Sequence, residues 1–292
     1  MSSYAQEVRS QPELWRQASA LATTATHHLP PHGARLAVAG CGTSLFIADA
    51  FAQLREGRGH GETDALVPTA DRVTRAYEAV LALSRSGTTT EVTNWLEAQA
   101  PALDRYALVG VAGTPVARAA PNPLVLDFAD ERSIVQTRFA TSTLALLRAS
   151  LGEDVLPLAD GAEAVLAKGA PFDAGRFDHF VFLGEGFASA LSQEAALKMR
   201  ETTGAWTEAY LASEYRHGPV SAATSRTLVW VLGQVPAHVL DHVRESDATV
   251  WTTGEDPMVE LVRVHLQAEV EAAHRGRDVD NPPLLSRSVI LS

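Results

Sequence analysis

The sequence predicts an α/β protein of two lobes with parallel sheets, and three observations predict it. Short apolar runs of strand character alternate with longer amphipathic stretches of helical period. The alternation runs once through the first half and begins again at His179. Between the two, residues 152–171 scatter Gly, Ala and Asp, the composition of a connection.

In order, residues 36–39, 79–83, 106–111 and 124–127 read as strands of the first lobe, with helices at 45–55 and 92–99 between them. The second lobe opens with a strand at 179–183 and the turn Gly184-Glu185-Gly186. Strands at 228–232 and 248–251 follow, then a helix at 259–273. The expected division is a helical N-terminal segment at 1–33, a first lobe at 34–155, and a second lobe at 156–292 that ends in a tail.

Composition narrows the function. With 292 residues and 46% hydrophobic content the chain can bury one large or two small cores. A formal net charge of -11 gives no basic face for a nucleic acid. One cysteine, Cys41, excludes an intramolecular disulfide and a cysteine-rich zinc cluster, which fits a reducing cytoplasm. The first residues lack a signal-peptide core, and no apolar run approaches a membrane span. The expectation is a soluble cytoplasmic protein with no nucleic-acid or membrane partner. His238 and His242 lie four apart but lack the glutamate of a zinc helix, so they read as surface residues, and no metal is expected. Gly40-Cys41-Gly42 and Gly184-Glu185-Gly186 lack the third glycine of a dinucleotide turn, and no cofactor is expected.

Two hydroxyl-rich runs carry the chemistry. Gly40-Cys41-Gly42-Thr43-Ser44 and Leu83-Ser84-Arg85-Ser86-Gly87-Thr88-Thr89-Thr90-Glu91 each follow a strand and open into a helix. Such a junction presents free backbone N–H groups, a positive dipole end and several hydroxyls to one point, where an anion such as phosphate would sit. Each run alone is equally an ordinary turn and N-cap. Their pairing after consecutive strands favours a site, because open α/β sheets bind ligands at the carboxyl ends of strands.

In the second lobe, residues 192–201 form a strong helix sequence that the breaker Gly204 stops. Glu194, Lys198 and Glu201 fall at i, i+4 and i+7 and share a face. Spacing alone makes them a solvated ion-pair ladder, so chemistry needs further support.

A resemblance supplies that support, carried by six segments in order: Glu7-Val8-Arg9-Ser10-Gln11-Pro12, the two hydroxyl runs, Glu194 to Glu201, Ser213-Glu214-Tyr215-Arg216-His217-Gly218-Pro219, and Asp278-Val279-Asp280-Asn281-Pro282. Across nearly its whole length the chain resembles the sugar isomerase (SIS) family, most of all the isomerase half of glucosamine-6-phosphate synthase and stand-alone phosphosugar isomerases and deaminases. The resemblance implies two SIS subdomains, each a doubly wound, flavodoxin-like parallel sheet flanked by helices, and a homodimer with active sites at the subunit interface.

It also implies roles. Ser84, Arg85, Ser86 and Thr89 match the loop that holds a sugar 6-phosphate, and Thr43 and Ser44 match residues near the phosphate and sugar hydroxyls. Arg85 stands where the synthase has a neutral amide, so a full positive charge at the phosphate is expected. Glu201 matches the carboxylate that moves a proton between C1 and C2, Lys198 a polar helper, and His217 the ring-opening histidine from the neighbouring subunit. Glu194 is expected to orient Lys198 or pair with it. Chemically, a near-neutral imidazole suits ring opening and a screened carboxylate suits removal of a proton beside a carbonyl.

Departures limit the transfer. No cysteine-started glutaminase domain precedes the first strand, and Arg287 stands where the synthase has an imine-forming lysine. A guanidinium stays protonated, so a Schiff base there is unfavourable, while neutralisation of a phosphate or enediolate is open to it. Glu185 replaces a basic residue common in relatives, with no effect that the sequence reveals. The expected activity is ring opening and C2 proton abstraction on a hexose or hexosamine 6-phosphate, giving isomerisation or deamination. Elimination of the C3 hydroxyl of N-acetylglucosamine 6-phosphate and non-catalytic phosphosugar sensing are the alternatives.

Overall fold

A computed structural model describes residues 1–68 and 75–291; residues 69–74 and 292, within the expected lobes, lie outside it. The chain forms two compact units, each discontinuous in sequence. One comprises 13–157 with 284–292, and the other 1–12 with 158–283. The division therefore differs from the continuous lobes expected above: helix α1 (Ser3–Ala22) is divided at Pro12, and the tail beyond Pro283 belongs with the first sheet.

The first-sheet unit carries β1 (Leu36–Ala39), α2 (Thr43–Gly57), β2 (Thr63–Leu66), β3 (Ala79–Ser84), α3 (Thr90–Glu97), β4 (Asp104–Val109), α4 (Pro115–Ala119), β5 (Leu124–Val125) and α5 (Arg138–Ser150). Its strands are all parallel, in the order β2-β1-β3-β4-β5. This is the flavodoxin-like order, in which the crevice for a ligand opens where the chain reverses beside β1 and β3. Strands β1 and β3 are buried along their whole length, so they read as unbroken apolar runs. Ala37, Val80, Ala82, Ala107 and Val109 pack against Val92, Trp95 and Leu96 of α3 on one face.

Helix α6 (Leu156–Lys168) spans the division and leads into the second-sheet unit. There follow β6 (His179–Gly184), α7 (Phe187–Thr203), β7 (Trp206–Leu211), α8 (Ala212–Tyr215), β8 (Thr227–Val231), α9 (Ala237–Arg244), β9 (Thr249–Trp251) and α10 (Pro257–His274). The order β7-β6-β8-β9 repeats the first four positions of the other sheet. No helix among the described residues is long and apolar enough to cross a membrane.

Several elements differ from the sequence reading. Strands β2 and β7 are edge strands, where one side meets solvent and the composition is mixed, as in Trp206-Thr207-Glu208-Ala209-Tyr210-Leu211. The expected connection at 152–171 holds helix α6. Its internal Gly161 is explained by packing, since a Cβ there would lie 3.3 Å from Val259 on α10. Asp280 plays a structural part, because its carboxylate accepts the N–H groups of Ser3 and Tyr4 at 2.8 and 2.7 Å and closes the first turn of α1.

Candidate functional site

The two sheets build the same junction from the same glycine pair. Gly42 and Gly186 take φ of 55° and 56° at the N-caps of α2 and α7. Gly40 and Gly184 lie so close to the following helix that a Cβ would come within 2.6 and 2.4 Å of it, at Ser44 and Ala188. Only glycine lets the strand end and the helix start approach in this way. In the first-sheet unit the junction places Thr43 and Ser44, both buried, at the start of α2.

The second hydroxyl run lies beside it, after the neighbouring strand β3. Ser84 Oγ accepts the Gly87 N–H at 3.1 Å, and Ser86 Oγ accepts the Thr88 N–H at 3.2 Å. Each hydroxyl accepts from the loop and keeps its own O–H as a donor that an anion could use. Gly87 has φ of 64°. Its backbone also passes close to Thr114, whose Oγ1 a Cβ would meet at 2.0 Å. Thr89 is half-buried and precedes α3. Burial, with a smaller contribution from the Glu91 carboxylate, pushes the Cys41 thiol up to about 11, so Cys41 is a neutral thiol within the first run.

Arg85 does not offer its charge as expected. Its buried guanidinium donates to the carbonyls of Ser133 (2.9 Å) and Arg287 (3.0 Å), and Nη1 lies 3.8 Å from Glu131. Glu131 in turn accepts from the Thr137 N–H, the Thr137 hydroxyl at 2.9 Å and the Arg138 N–H at 2.8 Å, at the start of α5. Arg85 thus ties β3 to the α5 cap and to the tail. Arg287 is also committed, pairing with Asp130 and donating to the Glu131 carbonyl. The tail continues along the loop: Thr88 Oγ1 donates to Ser288 Oγ at 2.9 Å, and the Leu291 N–H to Thr90 Oγ1 at 2.9 Å.

In the second-sheet unit, α7 carries Glu194, Lys198 and Glu201 on one face, but not as a solvated ladder. Glu194 and Lys198 are buried, at 0% and 1% exposure. Lys198 Nζ lies 3.7 Å from Glu194 and 2.5 Å from Glu201, whose side chain keeps 20% of its surface open. A buried ammonium is therefore held between an inner and an outer carboxylate, and the outer one reaches solvent. Helices α1 and α10 pack a further polar group here. His265 on α10 is fully buried, and its Nδ1 lies 3.3 Å from the Gln11 amide nitrogen. That nitrogen also donates to the Val8 carbonyl at 3.0 Å, so it is the NH2 of Gln11, Nδ1 is the acceptor, and the ring proton sits on Nε2. Burial first, and then the Lys198 charge, push His265 down to about 3, so it is neutral.

His217 stands apart from this set, on an exposed turn after α8, with its N–H donating to the Glu214 carbonyl at 2.9 Å. Glu185 accepts the Ser213 N–H at 2.7 Å and so holds the start of the same segment. His238 and His242 are exposed on α9. Among the described residues no three His, Cys, Asp or Glu side chains gather as a metal site would require.

No family model matches the chain. A glutamine–fructose-6-phosphate aminotransferase of Clostridium acetobutylicum is 25% identical over 264 residues, covering 72% of this chain and 43% of its own length. The D-galactosamine-6-phosphate deaminase of Escherichia coli O157:H7 is 25% identical over 264 residues, covering 77% of this chain and 68% of its own. The chain spans about half the length of the aminotransferases it matches. The crystal structure of a Thermotoga maritima glucosamine-6-phosphate deaminase superposes with a TM-score of 0.83 at 23% identity, covering 99% of this chain and 100% of that one. The chain has the sugar isomerase (SIS) fold.

Within the SIS fold, several residues have structural partners that the sequence reading did not anticipate. Glu131, Gln11 and His265 are polar residues buried among apolar neighbours, and their partners are distant in sequence, as the 254-residue separation of Gln11 and His265 shows. One signal was available: the polar residues Glu7 and Gln11 lie one turn apart on the face of α1 that also carries Tyr4 and Val8, all buried.

Proposed function

We propose that this chain is a phosphosugar isomerase or deaminase that acts on a hexose or hexosamine 6-phosphate through proton transfer at C2. The observation that carries the reading is the α7 arrangement: a partly exposed carboxylate, Glu201, gripped at 2.5 Å by a buried lysine that a second carboxylate backs. The names of the relatives, an aminotransferase and two deaminases of 6-phosphosugars, support it.

In this reading the hydroxyls of Ser84, Ser86 and Thr89, with Thr43 and Ser44, bind the 6-phosphate and the start of the sugar chain. The positive ends of α2 and α3 add to the attraction. Arg85 and Arg287 shape the loop from behind. His217 opens the pyranose by taking the anomeric hydroxyl proton and giving one to the ring oxygen as the C1–O5 bond breaks. Its exposed turn suits a residue that serves the site of a second copy in a homodimer. Glu201 then takes the C2 proton and returns one to C1, which converts an aldose to a ketose. With a 2-amino group the product is a ketose imine, which water hydrolyses with release of ammonia. Lys198 holds the Glu201 carboxyl in place through both steps.

Proton NMR in D2O with glucosamine 6-phosphate, galactosamine 6-phosphate and fructose 6-phosphate tests this. Loss of the C2 proton signal of an aldose, abolished in Glu201→Gln, is the expected result, and ammonia or a ketose in solution names the product. If every C2 signal persists while the sugars bind, the proposed catalysis is wrong.

A further inference from the structure

A separate cavity in the first-sheet unit lies away from the hydroxyl loops. It holds about 300 Å3 and is lined by the end of α1, the segment leading to β1, the last turns of α2 and the end of α5. The hydroxyl runs follow the carboxyl ends of β1 and β3, whereas α2 ends, and the chain enters β1, at the opposite edge of the sheet. The volume is at the small end of the range for ligand sites, about 300–1,000 Å3.

The lining has a definite character. Leu29, Phe51, Leu147 and Leu151 supply apolar walls, and the polar groups are Arg55, His32, His60 and the hydroxyls of Thr26 and Ser150. In a chain of net charge -11, none of the lining residues is Asp or Glu. Arg55 is 2% exposed. It is held only by neutral acceptors: Nη1 donates to the Gly61 carbonyl at 3.1 Å and Thr63 Oγ1 at 2.7 Å, and Nη2 to the Pro31 carbonyl at 2.9 Å. Glu56, next in α2, gives an oxygen to the Thr63 N–H at 2.8 Å. No carboxylate among the described residues lies within ion-pair distance of Arg55. Glu56 favours the Arg55 cation from beyond ion-pair distance, but burial outweighs it and holds the guanidinium below its usual range, so the buried cation is only partly compensated.

The histidines add to the imbalance. His32 and His60 face one another edge to face, ring centroids 4.2 Å apart, with Nδ1 directed at Nδ1. Burial, then the charges of His32, Arg55 and Arg58, push His60 below the usual histidine range. Arg58 points its charge to Glu153 at 2.5 Å, and Glu153 is shared with Arg148. An anion in the cavity would relieve Arg55 and give the histidine pair an acceptor.

We propose that this cavity is a second ligand site, for a small monocarboxylate with an apolar body, held by Arg55 and the His32–His60 pair against the wall of Phe51, Leu147 and Leu151. Two hydroxyls are too few for a sugar, whose many hydroxyls each need a partner, and the apolar walls leave inorganic phosphate poorly solvated.

The test is NMR of the histidine ring protons in the full chain, titrated with benzoate and 4-methylpentanoate, with benzamide and inorganic phosphate as controls. Both carboxylates should shift the His32 and His60 signals saturably, near about 1 mM as befits so small a ligand. Bound benzoate should also move the His60 titration to higher pH. Ala22→Leu, which fills the cavity and keeps every Arg55 bond, should abolish the shifts while the fold is retained. Arg55→Met should weaken benzoate at least tenfold if it folds, and the Ala22→Leu result stands without it. No saturation by about 50 mM carboxylate overturns the proposal, as does an equal response to benzamide or phosphate, or an unchanged response in Ala22→Leu.

Discussion

Replacing Lys198 by methionine isolates the electrostatics of α7. The change keeps most of the stem volume and removes the ammonium that stands 3.7 Å from Glu194 and 2.5 Å from Glu201. Glu201 retains access to water, so the loss falls mainly on Glu194, which is 0% exposed. Removing one member of a buried ion pair costs about 3–5 kcal/mol, against about 1–2 kcal/mol for leaving a neutral polar group short of a hydrogen bond. Lys198→Met should therefore destabilise the second-sheet unit by about 3–5 kcal/mol at pH 8. The double variant Lys198→Met/Glu194→Gln should recover about 2–3 kcal/mol of that, a coupling well above the additivity error for distant sites. Acid should relieve the single variant, because Glu194 without its ammonium takes up a proton more readily in the folded than in the unfolded chain. Hydrogen exchange of the α7 amides reads this unit by itself, with urea unfolding at pH 8 and pH 5.5 as the second measure. A loss below about 1 kcal/mol at pH 8, or a double variant no better than the single, would refute the picture of a buried lysine held by Glu194.

Two further outcomes follow from the geometry. His265 is held neutral with its folded value near 3, below that of a free histidine, so its contribution is fully present above about pH 6.5 and is lost as pH falls toward 3. Exchanging His265 for Gln should flatten the acid side of the stability curve by about 2 kcal/mol at pH 5, measured by urea unfolding, and an unchanged slope would contradict the assignment. Gly87→Ala should weaken binding of a 6-phosphosugar tenfold or more, since its Cβ would collide with Thr114 at a φ of 64°. Gly113→Ala, at a φ of 67° in open space, should cost only about 1 kcal/mol of stability and leave binding intact; calorimetry on both variants tests the contrast.

The central strands were legible because burial on both faces leaves little choice of residue: β1, β3, β6 and β8 appear as apolar runs. The edges β2 and β7 were not, because half-exposed strands mix Thr, Asp and Glu with apolar residues. The hydroxyl runs stood out through their glycines, whose spacing the strand-to-helix junction requires. The direction of a long side chain did not. Arg85 looked like a phosphate ligand because sequence places it in the loop, while Ser133 and Glu131, some fifty residues on, turn it inward. Likewise Glu194, Lys198 and Glu201 have the spacing of a surface ladder, and only the packing of α7 against α10 turns that face into the interior.

The discontinuous units set a schedule for the chain as it leaves the ribosome. Residues 1–12 precede 13–157, yet the rest of their unit, 158–283, is made only afterwards. Gln11 must wait for His265, 254 residues later, which at ordinary elongation rates is roughly 10–50 s. Through that interval the Tyr4, Ala5, Val8 face of α1 has no folded partner in its own unit, the kind of apolar surface that chaperones shield. The tail makes the opposite demand: 13–157 can collapse early, but the strip that lines Thr88 and Thr90 is made only after 158–283. Neither unit is therefore complete once 13–157 has been made: one waits for 158–283 and the other for 284–292.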